Sequence, residues 1–226
     1  MVTAPASVPN GGATPLAAIP SLGLETFRAR VIGRVAAGAR LSAFFAGPGP
    51  AAGRRLYAVL ADGAAGALDL VSTPAAASYP SLTPDCPAAH WFERALFEDD
   101  GIRPEGHPWL KPVRRGPPAD TRFFRADGDE IHEVAVGPVH AGVIEPGHFR
   151  FQCHGERVLH LEIALGYQHR GVERALAAGP DRRSIHYAET LAGDSTAAHA
   201  TAYAQIVEAL AGATPPPPPL ALRAVA

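Results

Sequence analysis

Lysine, cysteine, methionine and long apolar runs are what this sequence has least of. Lys111 is the only lysine, so arginine carries nearly all the positive charge, and the net charge is −2 with histidine neutral. No block of five or more basic residues occurs, and the electrostatic footprint that nucleic acid demands is missing. Nucleic acid is therefore excluded as a partner class. The two cysteines, Cys86 and Cys153, belong to no Cys-x-x-Cys pair. They give neither a disulfide framework nor a motif for ligating an iron–sulfur cluster, and they fit a reducing compartment. No run of about 18 apolar residues is present, so no transmembrane helix is expected and a membrane link has to come through a partner. Residues 1–20 lack a basic n-region and carry Pro5, Pro9, Gly11, Gly12, Pro15 and Pro20. That composition predicts a flexible tail rather than a signal peptide.

What is abundant is glycine and proline, 23 of each, gathered into loops and linkers. A chain of 226 residues has room for one large domain or two small ones. Phe27, Val31 and Val35 recur every fourth residue with Gly38 beyond, which predicts a helix over 24–37. Strands follow over 41–46, 55–61 and 67–73, separated by Gly-Pro and Asp-Gly turn signals. A helix over 86–97 and a loop-rich exit over 101–110 complete a small α+β domain at 21–112. Residues 113–130, with Gly116-Pro117-Pro118 and Asp127-Gly128-Asp129, read as a linker to a second domain at 131–226.

In that second domain Phe149, Phe151 and Cys153 alternate with polar residues. Gly155-Glu156 marks a turn, and Leu159, Leu161, Ile163 and Leu165 alternate again. The pattern predicts a β-hairpin with one apolar face that must pack on something. From His169 the period becomes helical. Gly179-Pro180 stops the first helix, and Asp181 and Asp194 are placed to cap the ones that follow. Tyr203, Ile206, Val207 and Leu210 form a core stripe on a helix beginning near 195. Residues 215–219 are all proline and read as a stiff linker, and the apolar run after them carries no stop signal.

Ala88-Ala89-His90-Trp91-Phe92-Glu93-Arg94, then Gly101-Ile102 and Gly106-His107-Pro108-Trp109-Leu110, resembles the signature of the thirty-kilodalton (C-type) subunit of complex I. The family's second Glu is Ala95 here, its acid is Glu98, and its apolar pair is Asp99-Asp100. In that family the segment is an assembly surface.

Gly137-Pro138-Val139-His140, Pro146-Gly147-His148-Phe149-Arg150 and Gly166-Tyr167-Gln168-His169-Arg170-Gly171-Val172-Glu173 resemble the opening of a second family. It comprises the forty-nine-kilodalton (D-type) subunit of complex I and the large subunits of group 4 membrane-bound [NiFe] hydrogenases. A C-like region followed by a D-like one is the order of fused subunits and of formate-hydrogenlyase-type large subunits. The resemblance implies a hairpin continuing into a helical bundle, which agrees with the periodicity.

Hydrogenases of this family carry Arg-x-Cys-Gly-x-Cys-Gly and, two residues on, His-Ser-x-Ala-Tyr. His199-Ala200-Thr201-Ala202-Tyr203 aligns with the latter, which sets the two nickel cysteines on Ala192 and Ser195 with Gly193 between. Nickel here requires thiolate sulfur, so a nickel–iron centre is expected to be absent. The quinone-binding tyrosine of the D-type complex I family falls on Gly193. His140 matches a histidine of the first hairpin loop, and a second maps near Pro146 or His148. These two are the candidate catalytic residues of a substrate cavity, His140 as ligand or proton donor. The alternative is a loop histidine bonding the hairpin backbone. His132, His140 and His148 recur every eight residues, and His154, His160 and His169 follow, without metal-ligand spacing.

By the same resemblance His169 and Arg170 lie beside the terminal [4Fe-4S] cluster of a partner subunit. A guanidinium there would favour the reduced form; the plain alternative is an ion pair with Glu173 or Glu162. The implied role is electron transfer of the NADH-quinone oxidoreductase or hydrogenase type, as a subunit binding no cofactor directly. The implied partners are an iron–sulfur small subunit, a ferredoxin-like subunit and membrane antiporter-like subunits, with quinone a candidate acceptor. The implied place is the cytoplasmic side of a bacterial inner membrane, peripherally through those partners. A non-catalytic scaffold is the alternative.

Overall fold

The computed structural model describes residues 6–49, 53–114, 123–138, 146–177 and 179–214. The chain is α+β and divides into two compact units, Met1–Lys111 and Pro112–Ala226.

In the first unit β1 (Ala6–Pro9), β2 (Arg40–Pro48), β3 (Arg54–Asp62) and β4 (Ala67–Pro74) form one sheet in the order β1-β4-β3-β2. All neighbours are antiparallel, with Tyr57 opposite both Phe45 and Ser72. Strands β3 and β4 meet at a turn where the Asp62 carboxylate accepts the amides of Ala64 and Ala65, each at 3.1 Å. Helix α1 (Leu24–Ala36) lays Phe27 and Val31 on the sheet, as the four-residue spacing requires. They join Phe44, Leu56, Leu60, Val71 and Leu82 in one sealed apolar core. The amino-terminal segment departs from the expected flexible tail. Strand β1 satisfies the outer edge of β4, with Ala6 opposite Leu70, and Ile19 and Leu22 are buried beside it.

Helix α2 (His90–Asp100) follows a 3-10 turn at Pro87–Ala89, so the expected helix start at Cys86 moves inward. It ends at Gly101, whose φ of 70° is the left-handed stop that glycine supplies. Short strands β5 (Ser78–Pro80) and β6 (Arg103–Glu105) pair in parallel on either side of it.

The complex-I-like signature is explained by this packing. Glu93 is fully buried, and its carboxylate accepts the Ser81 hydroxyl at 2.6 Å, the Leu82 amide at 2.7 Å and both the Thr83 amide and hydroxyl. Arg94 is also buried. It donates from Nε to the Lys111 carbonyl at 2.6 Å, and its guanidinium lies 4.4 and 4.7 Å from the Trp91 and Trp109 rings. His90 stacks on Trp109 with 12° between planes. The helix and the Gly-His-Pro-Trp loop thus hold each other through the signature residues.

In the second unit a third strand joins the expected hairpin. Strands β7 (Ile131–Val136), β8 (His148–His154) and β9 (Arg157–Ala164) run in that order, with Val136, Phe149 and Ile163 in one row and Val134, Phe151 and Leu161 in the next. These two rows form an apolar face, and Val134, Val136 and Leu161 on it are exposed. The opposite face is polar yet buried: Arg150, Gln152 and Glu162 lie there, beneath Phe123 and Phe124. So part of the stretch expected as linker is packed against the sheet.

Helices α3 (Val172–Leu176), α4 (Ser184–Glu189) and α5 (Thr196–Ala211) follow. The first starts at Val172 rather than His169 because Gly171, with φ 69°, ends a turn just before it. Asp181 binds the Arg183 amide but does not occupy the cap position, and Ser195 rather than Asp194 precedes α5. The α5 stripe is not core: Ile206 is 57% and Leu210 74% exposed, since no described residue covers them. No described helix is long and apolar enough to cross a membrane.

Candidate functional site

The chemistry-bearing residues of the second unit fall into two places. The first is the polar face of the sheet. Arg150 sits in the middle of β8, opposite Ala135 on β7 and Glu162 on β9. Its Nε donates to Glu133 at 2.6 Å, its Nη2 to the other oxygen of the same carboxylate, and its Nη1 to Glu162 at 3.3 Å. Gln152 donates to Glu133 at 2.9 Å, and the Phe124 amide to Glu162 at 3.2 Å. Arginine presents a planar fork that suits such bidentate contact. The Arg150 bond to Glu133 holds that carboxyl below its ordinary range and raises the guanidinium in turn. The cluster spans all three strands.

Gly137 follows the end of β7 and Gly147 precedes β8. Gly137 has φ 85°, and a Cβ there would lie 2.0 Å from the Gly147 carbonyl oxygen, so only glycine lets the two come together. His148 begins β8, half-buried and opposite Ala164. His140 lies outside the described residues.

The second place is a cleft of about 150 Å³ between the turn before α3 and the end of α4, lined among others by Arg114, His169, Arg170, Glu173 and Thr190. Gly166 opens that turn with φ 90°, and a Cβ on it would meet the Val113 carbonyl at 2.7 Å. The His169 amide closes the turn on the Gly166 carbonyl at 3.0 Å. Arg170 then reaches in two directions, donating to Gln168 Oε1 at 3.0 Å and to the Thr190 carbonyl at 2.6 Å. The expected alternative partners are engaged otherwise: Glu173 takes Arg114 at 2.9 Å, and Glu162 takes Arg150.

Thr190 leads directly into the loop that carries Ala192 and Ser195. The Ser195 amide donates to the Ala192 carbonyl at 3.2 Å, and its hydroxyl to Asp194 at 3.3 Å. Thr196 closes the loop on the Gly193 carbonyl at 3.3 Å. The His199 amide bonds the Ser195 carbonyl at 3.0 Å, while its Nδ1 is buried without a hydrogen-bond partner among the described residues. Arg170 therefore ties the Gln168–His169–Arg170 turn to the stretch of chain entering this loop. His148 lines no part of that cleft. Among the described residues no three His, Cys, Asp or Glu side chains converge as a metal set.

Arg114, Glu133, Glu162 and Thr190 were not singled out as site residues from sequence. Alternation does set Arg150 and Glu162 on one face, and that was an available signal. Thr190 acts through its backbone carbonyl, which carries no residue signature.

Residues 67–121 match the family described as respiratory-chain NADH dehydrogenase, 30 Kd subunit. Formate hydrogenlyase subunit 5 of Escherichia coli K12 is 32% identical over 174 residues, which cover 65% of this chain and 31% of that protein. Hydrogenase-4 component G of the same organism is 29% identical over 156 residues, 58% of this chain and 28% of that protein. The fused C/D subunit of NADH-quinone oxidoreductase from Methylococcus capsulatus is 26% identical over 134 residues, 42% of this chain and 23% of that protein. The chain thus spans about a third or less of the length of these curated relatives. The matched family span begins in the first unit, and the chain as a whole is similar to formate hydrogenlyase and hydrogenase-4 subunits and to fused NADH-quinone oxidoreductase C/D subunits.

Proposed function

We propose that this chain is a peripheral subunit of a complex-I-like, hydrogenase-related oxidoreductase, in which the Arg170 cleft forms one wall of the cavity where electrons leave a partner's terminal iron–sulfur cluster. The bond from Arg170 to the Thr190 carbonyl carries this reading, because it brings the Gln168–Arg170 turn against the chain entering the loop that, by the resemblance, matches the nickel-binding loop of the hydrogenase family. The residues of that loop do not fit nickel. Ala192 offers a methyl group, and the Ser195 hydroxyl is engaged with Asp194, where the metal needs soft thiolate donors. Hydrogen turnover at this loop is accordingly not part of the proposal.

The partners in this reading are an iron–sulfur small subunit bearing a [4Fe-4S] cluster, a ferredoxin-like subunit and membrane antiporter-like subunits, with quinone as the candidate acceptor. The chain is held at the cytoplasmic face of the membrane through them. A guanidinium fixed at Arg170 stabilises the reduced, more negative form of the neighbouring cluster. His140 and His148 are the candidate proton donors to a two-electron acceptor.

The test uses the assembled complex. Arg170→Met lowers the midpoint potential of the partner's cluster in a redox titration followed by electron paramagnetic resonance, and His140→Ala and His148→Ala slow transfer to quinone. Metal analysis finds no stoichiometric nickel in the chain. Unchanged potential and turnover in all three variants would replace this reading with a scaffold that joins electron-transfer and membrane subunits.

A further inference from the structure

Helix α2 and the segment that follows β6 meet through two imidazoles whose protons are fixed by their neighbours. Arg94 Nη1 lies 3.3 Å from His90 Nε2. A guanidinium only donates, so this nitrogen accepts and His90 carries its proton on Nδ1. The Trp109 amide donates to His107 Nδ1 at 3.0 Å. That puts the His107 proton on Nε2, the nitrogen 3.4 Å from the His90 carbonyl oxygen. A second proton on either ring would set N–H against N–H.

The surroundings disfavour that second proton further. Both rings are half-buried, their centroids are 5.0 Å apart, and His90 also stacks on the Trp109 indole. Burial comes first in holding both neutral, and the Arg94 charge adds to it. Glu98 acts on Arg94 in turn, and Lys111 lies over the Trp109 ring at 4.9 Å. On the other elements packed against α2, β2 carries Arg40, and β6 carries Arg103 and Glu105, which pair at 3.4 Å. Of the charges acting on the two rings Glu93 alone favours imidazolium, and its carboxylate is already engaged by Ser81, Leu82 and Thr83. Two imidazoliums would join Arg94 as three like charges in one contact, which repel.

We propose that residues 106–111 form a proton-operated latch: in acid His90 and His107 each take a second proton, the Trp109 ring leaves α2, and neutral pH closes it again. Each proton raises the opening equilibrium by up to about tenfold per pH unit, and the two together by about a hundredfold, as pH falls below the free-histidine value of about 6.5. The latch requires nothing of the redox reading of the Arg170 cleft.

The full chain allows a direct test, since Trp91→Phe leaves Trp109 as the sole tryptophan. Quenching of its fluorescence by acrylamide rises severalfold as pH falls below about 6.5, with about two protons taken up. It reverses on neutralisation, and the β3 and β4 amides keep their exchange protection throughout. His90→Gln keeps an acceptor for Arg94, His107→Asn keeps one for the amide two residues on, and neither titrates. Each single variant lowers the proton uptake to about one, and in the double variant quenching no longer depends on pH. Should the double variant not fold, ring NMR of the unaltered chain decides, because both histidines then titrate together with the Trp109 indole signal. Four results overturn the latch: quenching that ignores pH, a double variant that follows the parent, β3 and β4 losing protection in step with Trp109, or imidazoles that titrate while the indole signal stays still.

Discussion

In the first unit Phe27, Leu56, Leu60 and Leu82 are sealed between a four-stranded sheet and two helices. In the second unit Val134, Val136 and Leu161 face solvent, while Arg150, Gln152 and Glu162 are buried on the polar face and Cys153 is buried at the far end of the apolar one. Both sheets are antiparallel, so the difference does not lie in how the strands pair. It lies in what covers each face. The first unit carries its own cover in α1, whose Phe27 and Val31 fill the sheet surface. The second spends its cover, the segment of Phe123 and Phe124, on the polar face. Apolar burial drives folding at about 25 cal/mol per Å². The first unit therefore draws its stability from its core, whereas in the second the clamp fixes the polar face and most of the apolar face stays in solvent.

Identical substitutions on the two sheets test this most directly. Leu60 is fully buried on β3, and Leu161 is exposed on β9. Leu60→Ala removes buried methylenes and leaves a cavity, for a loss of about 2–5 kcal/mol. Leu161→Ala changes stability by less than about 0.5 kcal/mol, as for other exposed sites. Urea unfolding followed by tryptophan fluorescence reads the first unit, since Trp91 and Trp109 both lie there, and hydrogen exchange of the β8 and β9 amides reads the second. Equal losses from the two substitutions would break the comparison.

The clamp supplies the next largest effect. Arg150→Met leaves Glu162 buried without the guanidinium, a loss of about 2–3 kcal/mol read in exchange of the β8 amides. Arg150→Met combined with Glu162→Leu replaces the pair with apolar volume and restores most of that loss, because a buried ion pair is often no more stable than a hydrophobic substitute. Failure of the double variant to recover would show that Glu133, the other acid on Arg150, dominates the cluster.

Much of the first unit was legible. The Phe27, Val31 and Val35 spacing, the strand segments set between Gly-Pro and Asp-Gly turn signals and the turn at Asp62 are local signals, and each became the element it predicts. Strand β1 was not legible, because a four-residue segment ending in proline has no periodicity and is held only by the edge of β4. In the second unit alternation separated Phe149 and Phe151 from Arg150 and Gln152, but nothing local says which face is covered. The α5 stripe failed for the same reason: spacing marks an apolar face, not the element that buries it. At the candidate site the Arg170 turn was legible by resemblance and through its flanking glycines, whereas the Thr190 acceptor is a backbone atom of an unremarkable residue.

Acid separates the two units with the smallest energies and the clearest signature. Burial, aided by the Arg94 charge, holds His90 below the ordinary histidine value, and burial lowers His107 as well. A histidine depressed in the folded state stabilises fully above its unfolded value of about 6.5, and that contribution is lost as pH falls from there toward the folded value. Glu133 is also depressed, by its bond to Arg150, but its unfolded value is about 4.3, so its contribution is intact above that pH and is lost only below it. The first unit therefore begins to weaken near pH 6.5, where β7 and β8 still keep their protection, and the clamp weakens only in stronger acid. Stability by tryptophan fluorescence should decline as pH falls below about 6.5 in the parent chain and flatten there in His90→Gln/His107→Gln. Arg150→Met should abolish the exchange step of β7 below about pH 4.3 without altering the tryptophan profile. A single shared acid transition, moved by either set of substitutions, would mean that the clamp and the core belong to one cooperative body.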